Sequence, residues 1–575
     1  MIYATIDIES TGLNRYRDNI TFIGIGLAHS IEDEKFFKGY ILDMSEEESV
    51  DKLRKICAKL KEKKAKLIFQ NGNFDTLFIE WKYGIKLPVS EDIMLLGTAY
   101  DLSAEHGLKS MAHSYLGVED WDIANKDKTG KSKDFKKKLV PYLKKDVKYT
   151  WLLYRFFMSR MDESQLKIYN KLLHPAYNMY KGIERRGIYF DKEAYKEVKK
   201  KYRDIQNSKL EELNSHYKIN WNSPQQKAKA LFTDPKGERL PILLTTNSGT
   251  PSTSASVLKR LAAEGYELPK LMLEYTSANT LNKMFLNRWG DDSSYDGRIH
   301  ASYNLTNVVS GRTSSSNPNL QQVPRTSDVR GLFHAPEGRC FFEADYSQLE
   351  LRIAAHFANE PTMLRIYNEN GDIHSETAKL MTGGREPTKE ERGKAKAVNF
   401  GFLYGMGAKK FVEYAYDSYG VIFTLEEAKK FRELFFAKYS RLLPWHESQR
   451  RLAEALGGVP NLFGRFRKLP KIYSDNWKDK GDAERRSINT PVQGTGSDIL
   501  LSAALQVKKE LEPYGLCIVG TVHDSILGEF PEENKDWFVE QIRRIMKHPD
   551  LLDEFGVKLR CPLDCDVGVG PWGTH

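Results

Sequence analysis

The sequence predicts an α/β unit followed by an α+β unit whose sheet carries a long helical insertion. Over residues 1–160, short apolar strands at Ile2–Ile8, Thr21–Ala28 and Lys66–Phe69 alternate with helical periodicity such as Ser49–Lys61. From about residue 300, strands recur as far as 350, helices fill 360–450, and strands come back at 516–530 and 560–570. The stretch 161–290 is mostly helical and charged. Within it Tyr195–His216 is a long amphipathic helix, and Pro251–Ser254 reads as a capped helix start after a Thr245–Gly249 turn. No internal repeat or long disordered segment is visible.

At 575 residues the chain exceeds one core, and roughly three to four domains are expected. An apolar content of 40% and a mean hydropathy of −0.54 fit a soluble globular protein. No stretch approaches the ~18–20 apolar residues of a membrane span, so no membrane partner is expected. The start, Met1–Asp7, reads directly as a strand without a basic leader, which suggests the cytoplasm. Cys57, Cys340, Cys517, Cys561 and Cys565 form no C-x-x-C pair. They read as reduced thiols without a zinc site, Cys561 and Cys565 belonging to a terminal strand. Net charge is +9, and ten lysines lie between Lys126 and Lys148. A solvated lysine-rich loop and a salt-sensitive contact with a phosphate backbone are both open readings of that run.

Two aspartates carry the first chemical signal. Asp345 ends an apolar strand, and Leu349, Ile353 and His356/Phe357 follow at helical spacing. Asp524 lies with His523 between the apolar runs Leu516–Val522 and Ser525–Leu527, the pattern of a hairpin turn. Carboxylates at the mouths of two buried strands are what a two-metal phosphoryl-transfer site requires. Brought together they repel, so each favours Mg²⁺, which takes oxygen ligands and bridges to phosphates. Between them Arg392, Lys396, Phe400 and Tyr404 step by four, drifting about 40° per step and sharing one broad helix face. Two cations there suit the β- and γ-phosphates of a triphosphate, and two aromatics offer surface to a base or sugar. An amphipathic helix with a solvated basic edge is the plain alternative.

From about 300 to 575 these motifs, in order, resemble the polymerase region of family A DNA polymerases. They are Ser310-Gly-Arg312 through Asn319, Gln321 and Pro324, the Asp345 segment, Arg392–Gly405, Arg485–Asn489–Gln493, and Val522-His523-Asp524. The resemblance implies a right hand of thumb (161–300), palm (301–370 and 489–575) and fingers (371–488). It implies that Asp345 and Asp524 hold two Mg²⁺, with Mn²⁺ as a substitute. Arg392, Lys396 and His374 would bind the triphosphate of a dNTP, and Lys396 would protonate the leaving pyrophosphate. Glu350 would fill the space of a ribose 2′-hydroxyl, and Phe400 would reject dideoxynucleotides. Arg312, Asn319, Gln321, Arg485, Asn489, Gln493 and His523 would contact primer–template DNA. The family often has Glu after His-Asp; Ser525 stands there instead, removing an ancillary carboxylate.

A second constellation lies near the N-terminus. Asp7 and Glu9 share one strand face, Asp75 supplies a third acid, and Asp146 a fourth, with Tyr142 one helical turn before it. Four acids and a tyrosine that could orient water suit metal-assisted phosphodiester hydrolysis. In this order they resemble the RNase-H-like 3′–5′ proofreading exonuclease domain that precedes family A polymerase domains. That implies residues 1–160 as an active exonuclease with Mg²⁺ at Asp7, Glu9, Asp75 and Asp146, acting on a single-stranded 3′ end. No 5′ nuclease is expected, and a polymerase–exonuclease of this kind suits phage replication in a host cytoplasm.

Overall fold

The structure is a computed structural model that describes residues 1–573 apart from 247 and 294. The first sheet contains β1 (Tyr3–Ser10), β2 (Ile20–Ala28), β3 (Lys38–Asp43), β4 (Lys66–Phe69) and β5 (Glu91–Asp92), in the order β3-β2-β1-β4-β5. β1, β2 and β3 pair antiparallel, whereas β4 and β5 join parallel. β2 is apolar along nearly its whole length because both its faces are covered. β3 escapes sequence reading for the opposite reason: it is an edge strand with only Leu42 buried, so it lacks an apolar run. Helix α1 (Ser49–Glu62) buries Leu53, Cys57 and Leu60 at helical spacing. Next come α2 (Gly72–Tyr83), α3 (Leu108–Leu116) and α4 (Phe135–Arg160), the last lying across β1 and β2.

Part of the lysine run is helical, not loop. Lys136 pairs with Asp43 at 2.7 Å, Lys138 with Asp127 at 2.9 Å, and Lys128 with Asp122 at 2.6 Å. Several of these lysines therefore fold back onto the first unit.

Helix α5 (His174–Arg186) ties the two halves together. Its Tyr177 hydroxyl accepts from the Asn73 amide at 2.8 Å, and its Tyr180 hydroxyl meets that of Thr521 at 2.8 Å. α6 (Lys192–His216) starts at the Asp191 cap, and α7 (Ala255–Ala263) at the expected Ser254 cap. The expected 245–249 turn contains residue 247, outside the described residues. α8 (Glu267–Leu281) completes a small separate core of Leu213, Trp221, Leu231, Leu261 and Met272.

The second sheet begins with β6 (Arg339–Tyr346). The insertion follows: α9 (Leu349–Ala358), α10 (Ile373–Met381), α11 (Lys389–Leu403), α12 (Ala408–Tyr419), α13 (Leu425–Lys438), α14 (Leu442–Leu456) and α15 (Trp477–Leu511). Then β7 (Cys517–Val522), β8 (Ser525–Pro531), α16 (Lys535–Lys547) and β9 (Cys565–Val569) close an antiparallel sheet of order β7-β8-β6-β9. α15 is buried almost all round from Ser487 to Val507, so no single apolar stripe marks it. The expected fingers–palm boundary at 488/489 falls inside this helix, so one continuous helix spans both. Cys565 opens β9, Cys561 precedes the strand, and all five cysteines are free. Among the described residues no helix is long and apolar enough to cross a membrane.

Gly528, on β8 beside the central strand, permits close packing. A Cβ there would stand 2.4 Å from Cε1 of the buried Phe342 and 2.8 Å from the Cys517 carbonyl. Gly528→Ala should therefore cost about 1–3 kcal/mol, read as a lowered Tm. Gly39→Ala, whose Cβ would meet only the Ile25 carbonyl at 3.7 Å, should stay within about 0.5 kcal/mol of wild type.

Candidate active sites

The antiparallel register places Asp345 of β6 between Ser525 of β8 and Asp566 of β9. Ser525 Oγ donates to Asp345 Oδ1 at 2.8 Å. β7 and β8 are joined by the two-residue turn His523-Asp524, in which His523 adopts φ +54, a conformation histidine visits more readily than most residues. The amide of Tyr346 donates to the Asp524 carbonyl at 3.3 Å, so hairpin turn and strand end are locked together. Both aspartates line one cleft of about 790 Å³ with Glu350, His374, Arg392, Lys396, Phe400 and His523. The low-dielectric walls raise the Asp345 carboxyl, with Ser525 and Arg325 opposing. Asp524 is pushed up to about 7 by burial and by the charge of Glu350, with Arg312 opposing and Asp345 adding to the rise. Arg325 and Arg312 offset these carboxylates only in part, which fits a site for divalent cations held by Asp345 and Asp524.

The cationic wall comes from α11. The Thr388–Glu391 capping box starts this helix, and its inner face buries Ala395, Val398, Asn399 and Phe402. Arg392, Lys396 and Phe400 face the cleft as expected. Tyr404 does not line it: as the residue that ends the helix, it turns its hydroxyl onto Glu350. Arg312 donates to the other oxygen of Glu350, so that carboxylate is held from both sides. Arg392 Nε meets Asp372 Oδ2 at 2.5 Å. Burial works against ionisation of Asp372, yet bonds from Arg392, Ser375 and the His374 amide hold its carboxyl well below the usual range.

His374 is neutral. Burial first, then Arg392 and Lys396, lower it to about 4 against the pull of Asp372. Its Nδ1 lies 2.7 Å from the Asn399 amide nitrogen, while Asn399 Oδ1 accepts from Thr377 Oγ1 at 2.8 Å. Asn399 therefore donates to Nδ1, which leaves the proton on Nε2 as a donor.

In the first unit, Asp7, Glu9 and Asp146 each bring an oxygen within 4.8 Å of one another. Asp75, the fourth expected acid, lies outside that mutual distance with its Oδ1 taken by the Ile8 amide at 3.0 Å, yet its charge bears directly on Asp7. Burial, then Asp75, Asp146 and Glu9, raise Asp7 well above the carboxylate range. Burial and Asp146 push Glu9 up to about 8, and burial likewise raises Asp75 to about 8. A compact set of oxygen donors, only partly offset by Lys109 and Lys128, suits a hard divalent cation. Lys109 Nζ donates to the Tyr142 hydroxyl at 2.7 Å, and Trp121 Nε1 donates to Asp146 Oδ1 at 2.5 Å.

A profile described as DNA polymerase family A matches residues 190–574, and one described as 3'-5' exonuclease matches residues 3–162. The chain belongs to DNA polymerase family A. DNA polymerase I of Pseudomonas aeruginosa is 32% identical over 523 residues, covering 85% of this chain and 55% of that protein. DNA polymerase I of Aquifex aeolicus is 28% identical, covering 95% and 92%. This family A chain spans about half the length of several of the curated relatives it matches. The POL domain of Pol1 from M. smegmatis, solved in complex with DNA primer-template and dNTP, shares the fold with a TM-score of 0.81. It is 23% identical over 99% of this chain and 95% of that one.

The remaining residues taken from the family A resemblance are more scattered. Arg485, Asn489 and Gln493 form one stripe on α15 at i, i+4 and i+8. Arg485 is exposed beside Asp482, and Asn489 Oδ1 is buried without a partner. Asn319 spends its Oδ1 as a local cap for Gln321 N and Ser315 Oγ, each at 3.0 Å. Gln321 reaches the Thr521 carbonyl at 3.4 Å. Sequence reasoning missed Arg325 and Asp566 in the cleft, Asp372 and Asn399 behind it through Arg392 and His374, and Lys109 and Trp121 in the first unit. Asp372 had a signal, since it precedes His374 as a helix cap; Asp566 and Lys109 become visible only through strand register and tertiary packing.

The raised acids set a pH dependence. Glu9 and Asp75 titrate near 8 when folded, against roughly 4 when unfolded, so the native state holds protons that the unfolded chain has released. Stability without metal should therefore fall as pH rises from roughly 6.5 to 8, above the range in which buried histidines titrate. Thermal unfolding in EDTA should show this fall. Mg²⁺ should reverse it, and Glu9→Gln should reduce it while the share of Asp75 remains.

Proposed function

We propose that the chain is a template-directed, DNA-dependent DNA polymerase with 3′–5′ proofreading exonuclease activity. The observation that carries this is the convergence of Asp345 and Asp524 with Arg392, Lys396 and neutral His374 around one cleft. The neighbour solved with primer-template and dNTP supports the same substrates here. Divalent cations, when bound by Asp345 and Asp524, would activate the primer 3′-hydroxyl and offset charge on the transferred phosphoryl group.

The chain's own residues supply the rest. Arg392 and Lys396 bind the β- and γ-phosphates, and His374 donates from Nε2 to the same group. Lys396 protonates the departing pyrophosphate. Phe400 stacks against the incoming nucleotide, and Glu350, pinned by Arg312 and Tyr404, closes the space beside the sugar C2′. The Arg485–Asn489–Gln493 stripe and His523 face primer–template DNA. In the first unit Asp7, Glu9 and Asp146, with Asp75 behind them, hold the hydrolytic cations, and Tyr142 orients the attacking water.

Extension of a labelled primer–template with Mg²⁺ tests both halves. Asp345→Ala or Asp524→Ala should abolish dNTP addition and retain shortening of single strands; Asp7→Ala should do the reverse. Loss of both activities in either variant would mean the sites are misassigned. Glu350→Ala should admit ribonucleotides, and unchanged sugar selection would remove Glu350 from this role.

A further inference from the structure

The acids of the first unit do not account for the cation among them. Lys109, near the start of α3, donates from Nζ to the Tyr142 hydroxyl at 2.7 Å. The same ammonium lies 3.9 Å from Asp146 Oδ1 and 3.6 Å from Asp122. It sits 4.5 Å from the ring centroid of Tyr142 and 5.3 Å from that of Trp121. Its side chain is only 26% exposed, unlike a freely solvated lysine. Trp121 in turn holds Asp146 through its indole N–H. Lysine, tyrosine, tryptophan and aspartate thus form one contact set, bordered by Lys128, which pairs with Asp122 at 2.6 Å and sits 5.3 Å from the Tyr142 ring centroid.

The hydrogen-bond inventory gives this set a direction. An ammonium has donors only, so the Tyr142 oxygen must accept from Lys109. The phenol proton must then point elsewhere, and Asp146, one turn along α4, is the acceptor beside it. Without Lys109 the O–H could rotate and accept or donate in several ways. The ammonium also offsets charge on Asp7, Glu9 and Asp146, the three acids whose oxygens cluster. A divalent cation entering that cluster meets repulsion from it.

We propose that Lys109 is a positioning residue of the exonuclease site, fixing the Tyr142 hydroxyl and serving as a resident counter-charge that a divalent cation must work against. The inference rests on the exonuclease reading and adds a residue to it. It makes two expectations of opposite sign: removing the ammonium slows cleavage yet tightens metal binding. A lysine that merely stabilised the fold would weaken both.

The test uses the full chain as wild type, Lys109→Met, Tyr142→Phe and the double variant, with primer extension as the check of folding. On a labelled single-stranded oligodeoxynucleotide with Mg²⁺, Lys109→Met should lower kcat roughly tenfold or more with KM within about twofold. In the Tyr142→Phe background the same change should alter kcat by less than about twofold, because the two residues act as a unit. Mn²⁺ binding, followed by electron paramagnetic resonance in an Asp345→Asn/Asp524→Asn background, should tighten roughly threefold or more in Lys109→Met. An unchanged kcat, an equal loss in the Tyr142→Phe background, or Mn²⁺ binding that is unchanged or weaker would overturn the proposal. Asp7→Ala separates the layers. Degradation that survives Asp7→Ala overturns the exonuclease reading itself, whereas loss there with wild-type rates in Lys109→Met overturns only the role of Lys109.

Discussion

The register of β6 between β8 and β9 is the constraint on which the Asp345–Asp524 cleft depends. Side chains on a strand alternate faces, so a slip of one residue would turn Asp345 into the core and expose Ala344 or Tyr346. The register is held by what lies on the other face. Phe342, Ala344 and Tyr346 are buried under α16 and the adjoining helices, and Gly528 makes room for the Phe342 ring. The same pairing brings Ser525 alongside Asp345 and anchors the two-residue turn that presents Asp524. Apolar packing on one side of the sheet thereby fixes the position of charge on the other.

That charge is the second organising fact. Carboxylates gathered in a partly desolvated place destabilise a fold unless something compensates, and each site compensates differently. In the cleft the balancing groups arrive from the insertion and its flanks: Arg312 reaches Glu350, and Arg392 reaches Asp372. In the first unit Lys109 and Trp121 converge on Tyr142 and Asp146. Asp7, Glu9 and Asp345 sit on strands, Asp524 in a hairpin turn and Asp146 on α4, whereas Arg392 and Lys109 stand on helices and Arg312 on a loop.

How much of this was legible in the sequence depends on whether the signal was local. Asp345, Asp524, Arg392 and Lys396 sit in short motifs whose apolar flanks announce a strand, a hairpin or a helix, and the structure brings all four to one cleft. The α6 and α7 starts were legible through amphipathicity and capping, and β2 and β4 through apolar runs. β3 was not, because an edge strand needs no apolar run, and α15 was not, because a helix buried all round has no periodic stripe. Tyr404 shows the limit of helical spacing: it steps by four with Phe400, but it ends the helix and its hydroxyl goes to Glu350. Asn399 and Lys109 act through partners 25 and 33 residues away, and no spacing rule connects them.

The pairing of Arg392 with Asp372 shows how a cleft can be preorganised for an anion before the anion arrives. A lone guanidinium in the cleft would be free to collapse onto Asp345 or Asp524, the two carboxylates a cation site needs open. Asp372 prevents this, and it is well suited to do so because it does not depend on Arg392. Its carboxylate also accepts from the His374 and Ser375 amides and from Ser375 Oγ, and it takes Gln348 Nε2 at 3.1 Å. On the proposed reading, an incoming triphosphate, with several negative charges against one, would draw Arg392 away and leave Asp372 still capping α10. The exchange keeps the guanidinium paired throughout. His374, on the first turn of that same helix, stays neutral with Nε2–H as a donor because Asn399 occupies Nδ1. One aspartate thus holds the arginine, starts the helix and sets the place of the histidine, so the two groups proposed to bind phosphate share one anchor.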